Sequence, residues 1–232
     1  MIWIGTSGFQ YPEWKGKFYP TNLAAAKMLP FYAARFSTTE INYSFYRVPS
    51  KKTLLNWAAA TPAHFRFGLK APRQITHIQK LAGSREVLER FWNVAQVLGE
   101  KLGPILFQLP PFLKKDLPRL EEFLASLPNG IRAAFEFRHA SWFDDAVFAA
   151  LKSRGAALCI ADSEKLSTPV VMTSSFAYFR LRNQYKKAGL ERWAEIIRKK
   201  RDAVSEIFVY FKHEETGSGP EFAVELEKIL QS

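Results

Sequence analysis

The run Phe135-Glu136-Phe137-Arg138 carries the side chains best suited to chemistry. Successive side chains of a strand point to opposite faces, so Phe135 and Phe137 share one face while Glu136 and Arg138 share the other. A surface strand would hold these charges easily, but this run lies between apolar residues in a chain that is 15% aromatic. The pattern predicts a buried strand that delivers a carboxylate and a guanidinium group into one cavity.

Eight runs with strand character, separated mostly by helical patterns, are available to position such a pair. Alternation of strands with helices predicts a parallel sheet, and at 232 residues a closed TIM-type (β/α)8 barrel, a single α/β domain over residues 1–232. Residues 163–175 show no helical pattern, which predicts an irregular connection between the sixth and seventh strands. An open doubly wound sheet is the alternative, but Gly5-Thr6-Ser7-Gly8 matches no nucleotide-binding fingerprint. The predicted strands are 2–5, 37–45, 65–70, 105–109, 135–138, 156–162, 176–182 and 207–212.

Polar or charged side chains stand at nearly every predicted strand end, where the active site of such a barrel forms. Buried charge is costly unless it is paired or functional, so a ring of these residues is hard to explain as core filling. Basic groups outnumber acidic ones in the ring, and a planar guanidinium suits phosphate and carboxylate groups. The strand ends are therefore predicted to hold an anion.

Carboxylates and histidines near these ends are the candidate catalytic residues. Glu136 is the candidate general base or metal ligand, with Glu40 and Asp162 as supporting carboxylates. His77 and His139 follow strand ends and are the candidates for protonating a leaving group near neutral pH.

A structural network is the alternative interpretation of these charges. The carboxylates would then pair with Arg138, Arg180 and Lys70 and fix the barrel top, while the histidines would only make hydrogen bonds. A divalent metal is a further option, because three carboxylates and two histidines can hold an ion that generates hydroxide. No close ligand spacing such as His-Glu-x-x-His is present, so the metal signal is weak, and the sequence leaves the cofactor unknown.

The remaining polar and aromatic residues at the strand ends are the candidate substrate-binding groups. The basic residues would hold the anion, and the amides and hydroxyls would orient it. Tyr46 and Trp142, with Tyr11 and Trp14, would stack on a base or sugar, although burial is the commoner fate of such rings. The candidate binding residues are Thr6, Asn42, Tyr46, Arg47, Lys70, Gln108, Arg138, Trp142, Tyr178, Arg180, Arg182 and Lys212.

Composition and charge narrow the class of protein. A net charge of +11 favours anionic partners, either small molecules or nucleic acid, although excess lysine and arginine also serve solubility alone. The lone Cys159 lies in an apolar run, which indicates a buried small residue and a reducing compartment. No run suits a signal peptide or membrane span, so a cytoplasmic protein without membrane contact is expected.

Several motifs together resemble the YecE-like family, catalogued as domain of unknown function 72. The resemblance implies a TIM-type barrel with a polar site and no established reaction. Two positions depart from the family pattern: Arg182-Asn183 stands where relatives carry His-Gly, and Lys212-His213 where they carry paired asparagines. These departures imply a more acidic ligand or a loss of activity. The matching motifs are 4–9 with Tyr11, Trp14 and 18–20, then 40–47, Thr76-His77, 103–111, 136–139 with Trp142, Asp162, and 178–180.

The sequence thus predicts an enzyme, a hydrolase or lyase, that acts on a phosphate-bearing or other anionic substrate, nucleic acid included. The alternative is a non-catalytic binding module for nucleic acid or an anionic metabolite. A third interpretation is an interaction protein whose polar ring is purely structural.

Overall fold

Eight parallel strands close into a barrel in the computed structural model, which describes residues 1–163, 166–213 and 217–232. Neighbouring strands follow the order β5-β4-β3-β2-β1-β9-β8-β6, and pairing of β5 with β6 completes the ring. The two-residue β7 lies antiparallel to the end of β6. The strands are β1 Ile2–Ser7, β2 Thr38–Ile41, β3 Arg66–Lys70, β4 Leu102–Gln108, β5 Ala133–Glu136, β6 Ala157–Ser163, β7 Leu166–Ser167, β8 Phe176–Leu181 and β9 Glu206–Phe211.

Helices surround this barrel, so the predicted single-domain (β/α)8 architecture is confirmed. Within the described residues no α-helix lies between β6 and β8, which agrees with the irregular connection expected there; Glu164 and Lys165 lie outside the described residues. No helix of the described chain is long and apolar enough to span a membrane. The helices are α1 Ala25–Ala33, α2 Tyr43–Tyr46, α3 Lys51–Ala59, α4 Arg85–Ala95, α5 Leu117–Ser126, α6 Asp145–Ser153, α7 Lys187–Lys200 and α8 Ser218–Gln231.

The barrel interior is filled by side chains from alternate strand positions. Trp3 and Phe208 stack with ring centroids 6.0 Å apart. Tyr210 lies above them and shares a hydrogen bond of 2.8 Å with Thr38. Cys159 also lies in this interior cluster and is fully buried, as expected for a small apolar residue. The other strand face packs against the helices, so each strand is buried on both sides.

The second strand is shorter than its alternating pattern predicts. The prediction extended it over 37–45, but β2 ends at Ile41 and the short helix α2 follows. The Ser44 hydroxyl donates to the backbone oxygens of Ile41 and Lys70, at 3.0 and 2.7 Å, and so holds the turn against the end of β3. Tyr43 and Phe45 therefore lie in α2 and match the alternating pattern of a strand only by coincidence.

The first strand is longer than predicted. The predicted strand covered residues 2–5, but β1 continues through Ser7, which pairs with Glu40 of β2. A Cβ atom at Gly5 would lie 2.0 Å from the backbone oxygen of Thr38, so only glycine allows this approach of the two strands. The extension brings Ser7 to the top layer of the barrel interior.

Candidate active site at the carboxyl ends of the barrel strands

A layer of buried polar side chains crosses the barrel interior just below its carboxyl-terminal mouth. Each member is the last inward-pointing residue of its strand and is at most 8% exposed. The parallel strands all end at the same face, so these side chains meet although they are distant in sequence. The layer consists of Ser7, Glu40, Lys70, Gln108, Glu136 and Arg180.

Arg180 of β8 lies at the centre of the layer and is fully buried. Its Nε and Nη2 atoms donate to Glu40 of β2 in a bidentate pair, at 2.9 and 2.7 Å. The remaining nitrogen, Nη1, donates to Oε2 of Glu136 at 2.8 Å. One guanidinium group therefore pairs with two carboxylates, one from β2 and one from β5.

Hydrogen bonds from neighbouring strands complete the coordination of Glu40. The Tyr178 hydroxyl donates to its Oε2 at 2.6 Å, and the Ser7 hydroxyl donates to its Oε1. Burial by itself would raise the pKa of Glu40, but the Arg180 charge and these hydrogen bonds prevail and lower it to about 2. Such a weak base is a poor acceptor for a substrate proton at neutral pH.

Glu136 is held in a similar way. Its Oε1 accepts a hydrogen bond of 2.9 Å from the Gln108 amide, and the Arg182 guanidinium lies 3.6 Å away. Burial raises its pKa, yet the charges of Arg180 and Arg182 outweigh burial and the pKa falls below the usual value. Glu40 and Glu136 thus have the geometry expected for the alternative interpretation, a structural network of ion pairs. Both oxygens of Glu136 already accept hydrogen bonds, which disfavours its predicted role as a general base.

Lys70 of β3 occupies a different environment. Its Nζ donates to Oε1 of Gln108 at 2.9 Å and lies 4.1 Å from the centroid of the Phe45 ring. No carboxylate of the described residues lies within ion-pair distance of it. Burial lowers the pKa of Lys70 to about 7, and the positive charge of Arg180 acts in the same direction.

A cleft of about 430 Å³ opens above the polar layer between β5, β6 and β8. Ala161 of β6 lies at the floor of the cleft, and its small side chain leaves the space above it unfilled. Glu136 reaches the floor, and Arg138 and Arg182 stand on the walls. The alternation that placed Glu136 and Arg138 on one strand face therefore does bring them to one cavity. The lining residues are Pro111, Glu136, Phe137, Arg138, Ala161, Ser163, Leu166, Thr168, Arg182 and Asn183.

Among the described residues that line this cleft, positive charge exceeds negative charge. Glu136 is already paired with Arg180, and Arg138 makes no ion pair with any residue in the described ranges. Ser163, Thr168 and Asn183 add hydroxyl and amide groups to the lining. The cleft therefore offers cationic groups and hydrogen-bonding side chains to an anionic molecule.

The two departures from the family pattern contact each other. The His213 ring Nε2 donates to the backbone oxygen of Asn183 at 2.7 Å, and His213 is only 6% exposed. Burial is the largest effect on the pKa of His213 and lowers it, whereas the hydrogen bond to Asn183 acts in the opposite direction. The bond ties the end of β8 to the end of β9, beside the cleft.

The candidate histidines lie at the barrel mouth. His77 follows β3; its Nδ1 shares a hydrogen bond of 2.9 Å with the Thr76 hydroxyl, and its ring packs edge-on against Phe45. Burial lowers the pKa of His77 to about 4, and the nearby charges of Lys70 and Arg138 add to this effect. His77 is therefore neutral at pH 7, which disfavours the predicted role as a proton donor. His139 is half-buried and its Nδ1 accepts from the Ser141 backbone at 3.2 Å.

Two predicted site residues point away from the barrel interior. Asp162 accepts hydrogen bonds from Tyr185 and Trp193, at 2.8 and 3.2 Å, and so faces the helix layer. The Thr6 hydroxyl donates to the backbone of Gly8 and contacts the Tyr32 hydroxyl of α1. Neither residue joins Glu40 and Glu136, because each lies one position away from the inward-facing residue of its strand.

The aromatic candidates divide between core and rim. Trp142 is fully buried; it stacks on Phe137 at 4.6 Å and donates to the Leu113 backbone oxygen, so it offers no face to a ligand. Trp14 is 1% exposed and also belongs to the core. Tyr46 is 78% exposed on α2, beside the exposed Arg47.

The other candidates occupy the top of the barrel or its edge. Asn42 donates from Nδ2 to the Ser7 hydroxyl at 2.9 Å and lines a second cleft with Tyr11. Lys212 follows β9 and is half-buried, and its charge acts on Lys70. The described residues contain no cluster of three or more His, Cys, Asp or Glu side chains arranged to hold a metal ion.

Four residues with a place in the site were not among the sequence candidates. Ser7 belongs to the polar layer, and Ser163, Thr168 and Asn183 line the cleft. Ser7 was detectable, because Trp3, Gly5 and Ser7 continue one strand face by alternation. Ser163 and Thr168 belong to the irregular connection, which has no period from which a position can be inferred.

Comparison with known proteins places this barrel in a family. The sequence profile described as "Protein of unknown function DUF72" matches residues 3–232. The UPF0759 protein YecE of Escherichia coli K12 is 30% identical over 169 residues, which cover 70% of this chain and 60% of YecE. The matched part thus spans less than two thirds of that relative's length. The UPF0759 protein YunF of Bacillus subtilis 168 is 23% identical over an alignment covering 99% of this chain and 95% of YunF.

A solved structure agrees over the entire chain. The crystal structure of a DUF72 family protein from Thermotoga maritima MSB8 superposes with a TM-score of 0.91 at 28% identity, and each chain is covered to 100%. The resemblance that the motifs indicated is therefore confirmed by sequence and by fold. The chain belongs to the DUF72 family.

Proposed function

We propose that the protein is an enzyme that binds an anionic substrate in the cleft between β5, β6 and β8 and acts on it as a hydrolase or lyase. The substrate carries a phosphate or carboxylate group. The observation that supports this proposal is the pair of arginines, Arg138 and Arg182, that line the cleft, where the one carboxylate among the described lining residues, Glu136, already pairs with Arg180.

The electrostatics of the cleft favour negative charge for a physical reason. Arg182 is about one quarter exposed at its side chain, and burial lowers its pKa, so the group has lost part of its hydration. An anion that contacts both arginines would restore the lost interactions through charge-assisted hydrogen bonds. In a water-poor cleft the same groups would stabilise negative charge that develops during a reaction.

A binding and turnover screen tests this proposal. Inorganic phosphate, pyrophosphate, sugar phosphates and short hydroxy acids would be added separately, with the melting temperature and the NMR spectrum of each mixture recorded. A ligand at about 100 times its dissociation constant stabilises the fold by about 2.7 kcal/mol, a rise of roughly 5–10 °C at this chain length. Turnover identifies an enzyme, whereas a melting shift without turnover would favour the binding module.

Arginine variants locate the ligand. Arg138→Ala removes one charge-assisted contact, so we expect binding to weaken by roughly 10-fold or more, since such contacts contribute about 1.5–3 kcal/mol. Arg85→Ala is the matched control, because Arg85 is 78% exposed at its side chain on α4 and only pairs with Glu89. If both variants retained the melting shift, the anion would bind elsewhere and the proposed cleft would be excluded.

A second candidate function, binding of single-stranded nucleic acid, is supported by the exposed apolar side chains at the barrel mouth. Tyr43 and Tyr46 on α2, Ile78 after β3 and Phe112 after β4 are each at least 49% exposed. All follow strand ends. The three aromatic rings among them can stack on bases, and the net charge of +11 would attract the phosphate backbone.

Fluorescence anisotropy with a labelled oligonucleotide distinguishes this surface from the cleft. Nucleic acid held at the rim would lose affinity in Tyr46→Ala, by about 1–3 kcal/mol for a lost base stack, and would show a steep salt dependence. Leu55→Ala is the control, because Leu55 is similarly exposed at 52% but lies on α3. Equal affinity of Tyr46→Ala and Leu55→Ala would exclude stacking at the rim.

A further inference from the structure

We propose that Lys70 is a nucleophilic amine that forms an imine with the aldehyde or ketone carbon of an anionic substrate at the barrel mouth. This inference rests on the proposed function and deepens it, because it selects a lyase and names the substrate as a carbonyl compound that bears an acidic group.

The contacts of Lys70 are unusual for a buried lysine. Its Nζ donates to one amide oxygen, that of Gln108, and approaches the face of the Phe45 ring. An ammonium group can donate three hydrogen bonds, and burial of its charge is normally compensated by a carboxylate. Within residues 1–163, 166–213 and 217–232, no carboxylate lies within 4.0 Å of Nζ.

The arrangement of the polar layer explains the missing partner. Glu40 and Glu136 both lie in the layer with Lys70, but Arg180 binds both of them directly. The charged form of a lysine is destabilised when a guanidinium lies nearby and the neighbouring carboxylates pair with that guanidinium instead of with the lysine. This is one of the ways in which proteins activate a lysine as a nucleophile.

The groups around the amine act on it in opposite directions. Arg180 of β8 and Lys212 of β9 disfavour the ammonium form, whereas Glu40 of β2 and Glu136 of β5 favour it. Burial is the largest effect and also favours the neutral form, so the pKa falls to about 7. About half of the Lys70 side chains therefore carry a free lone pair at neutral pH, against less than about one in a thousand for an ordinary surface lysine.

The position of Lys70 also suits a reaction. It is the last residue of β3 and lies at the carboxyl-terminal end of the barrel, where the active sites of this fold form. The residue is 8% exposed, so it is nearly but not completely closed off from solvent. Gln108 connects it to Glu136, which forms part of the floor of the anion cleft. A substrate held by its acidic group in the cleft would extend across Gln108 towards the amine.

The reaction balances without an oxidant or a metal. The Nζ lone pair attacks the carbonyl carbon, and the carbonyl oxygen becomes the hydroxyl of a carbinolamine. The two hydrogens of the neutral amine and that oxygen then leave as water, which gives the carbon–nitrogen double bond of the imine. Once protonated, the imine nitrogen accepts the electron pair of an adjacent bond that breaks, which is lyase chemistry.

Reductive trapping tests the proposal in the intact protein. The chain would be incubated at pH 7 with glyoxylate, an anionic aldehyde, and cyanoborohydride, which reduces an imine to a stable secondary amine. Peptide mapping by mass spectrometry then identifies the labelled lysine. We expect Lys70 to be labelled at least about tenfold faster than the exposed Lys187, with a rate that rises through a midpoint near pH 7. Labelling of surface lysines with Lys70 unmodified would overturn the proposal.

Matched variants separate this proposal from the anion site. Lys70→Arg keeps a cation but cannot form the imine, so it should abolish the fast labelling, whereas Lys187→Arg should leave it unchanged. Arg138→Ala should slow labelling by glyoxylate but not by glycolaldehyde, a neutral aldehyde. Fast labelling by both aldehydes that is insensitive to Arg138→Ala would keep the imine and exclude the cleft as the anion site. A phosphate-induced melting shift without Lys70 labelling would keep the cleft and exclude the imine.

Discussion

Replacement of Arg180 by methionine should destabilise the barrel severely. The substitution removes the group that neutralises Glu40 and Glu136 but leaves both carboxylates buried in the polar layer. Removal of one partner from a buried ion pair costs about 3–5 kcal/mol, because the remaining charge keeps its desolvation penalty. At about 2–4 °C for each kcal/mol in a chain of this length, the melting temperature should fall by roughly 6–20 °C.

The pH dependence of stability tests the pairing of Glu40 with Arg180 by a second, independent measurement. The pKa of Glu40 in the folded protein, about 2, lies below the ordinary value of 4.5. The ionised group therefore stabilises the fold above pH 4.5, and this contribution is lost as the pH falls towards 2. At about 1.4 kcal/mol for each pKa unit, the contribution is about 3 kcal/mol.

In Arg180→Met the sign should reverse. Without Arg180 the effect of burial prevails and raises the pKa of the carboxylates, above all that of Glu40, so the variant should gain stability as they become protonated in acid. Urea unfolding of both proteins from pH 7 to pH 4 should therefore show a difference that shrinks with decreasing pH. A further variant with Glu40→Gln and Glu136→Gln added to Arg180→Met should recover much of the loss, because neither carboxylate then remains as a buried charge without Arg180.

Two results would refute this account. A loss of less than about 1 kcal/mol in Arg180→Met at pH 7 would mean that the carboxylates are not held as ions in the interior. A difference between the two proteins that stays constant from pH 7 to pH 4 would mean that the loss comes from packing and not from charge.

Three further experiments, one pH titration and two substitutions, have expected outcomes. The His77 ring should titrate with a midpoint near pH 4 in a two-dimensional 1H–15N NMR spectrum, and a midpoint near 6.5 would show that its surroundings are wetter than described. Gly5→Ala should cost about 3 kcal/mol or prevent folding, since its Cβ would lie 2.0 Å from the Thr38 oxygen; urea denaturation measures this, and Gly130→Asn is a control in open space. Ala161→Leu should fill the cleft floor and abolish the melting shift caused by an anion, while the unliganded melting temperature changes by only a few degrees; an unchanged ligand shift would place the anion elsewhere.

The sequence was sufficient for the architecture because the relevant signals are periodic and local. Alternating helical and strand patterns indicated the barrel, and the run around Glu136 correctly assigned Glu136 and Arg138 to the inward face. The face of a strand was harder to assign where both faces are apolar. Asp162 follows a fully apolar run, so nothing in its neighbourhood tells inward from outward, and it lies on the helix side.

The ion pairs and protonation states of the site could not be inferred from residue types. Glu40, Glu136 and Lys70 all appeared as charged groups at strand ends, and their sequence positions do not say which of them Arg180 contacts. That choice depends on distances across the barrel between residues up to 140 positions apart. Arg180 pairs with both carboxylates, so the Lys70 amine contacts the Gln108 amide and the Phe45 ring instead. Burial therefore lowers its pKa, although the sequence suggested a charged lysine that holds an anion.

The location of Arg180 late in the chain has a consequence for folding. Glu40 and Glu136 precede it by 140 and 44 residues, so both carboxylates are synthesised before the group that neutralises them. A chain that ended before β8 would have to bury two carboxylates without Arg180, which opposes a stable partial barrel of the first six strands. Formation of the interior therefore waits for contacts of high sequence separation, which slow folding and make it cooperative. On a ribosome, the growing chain would keep the ends of β2 and β5 hydrated until β8 emerged.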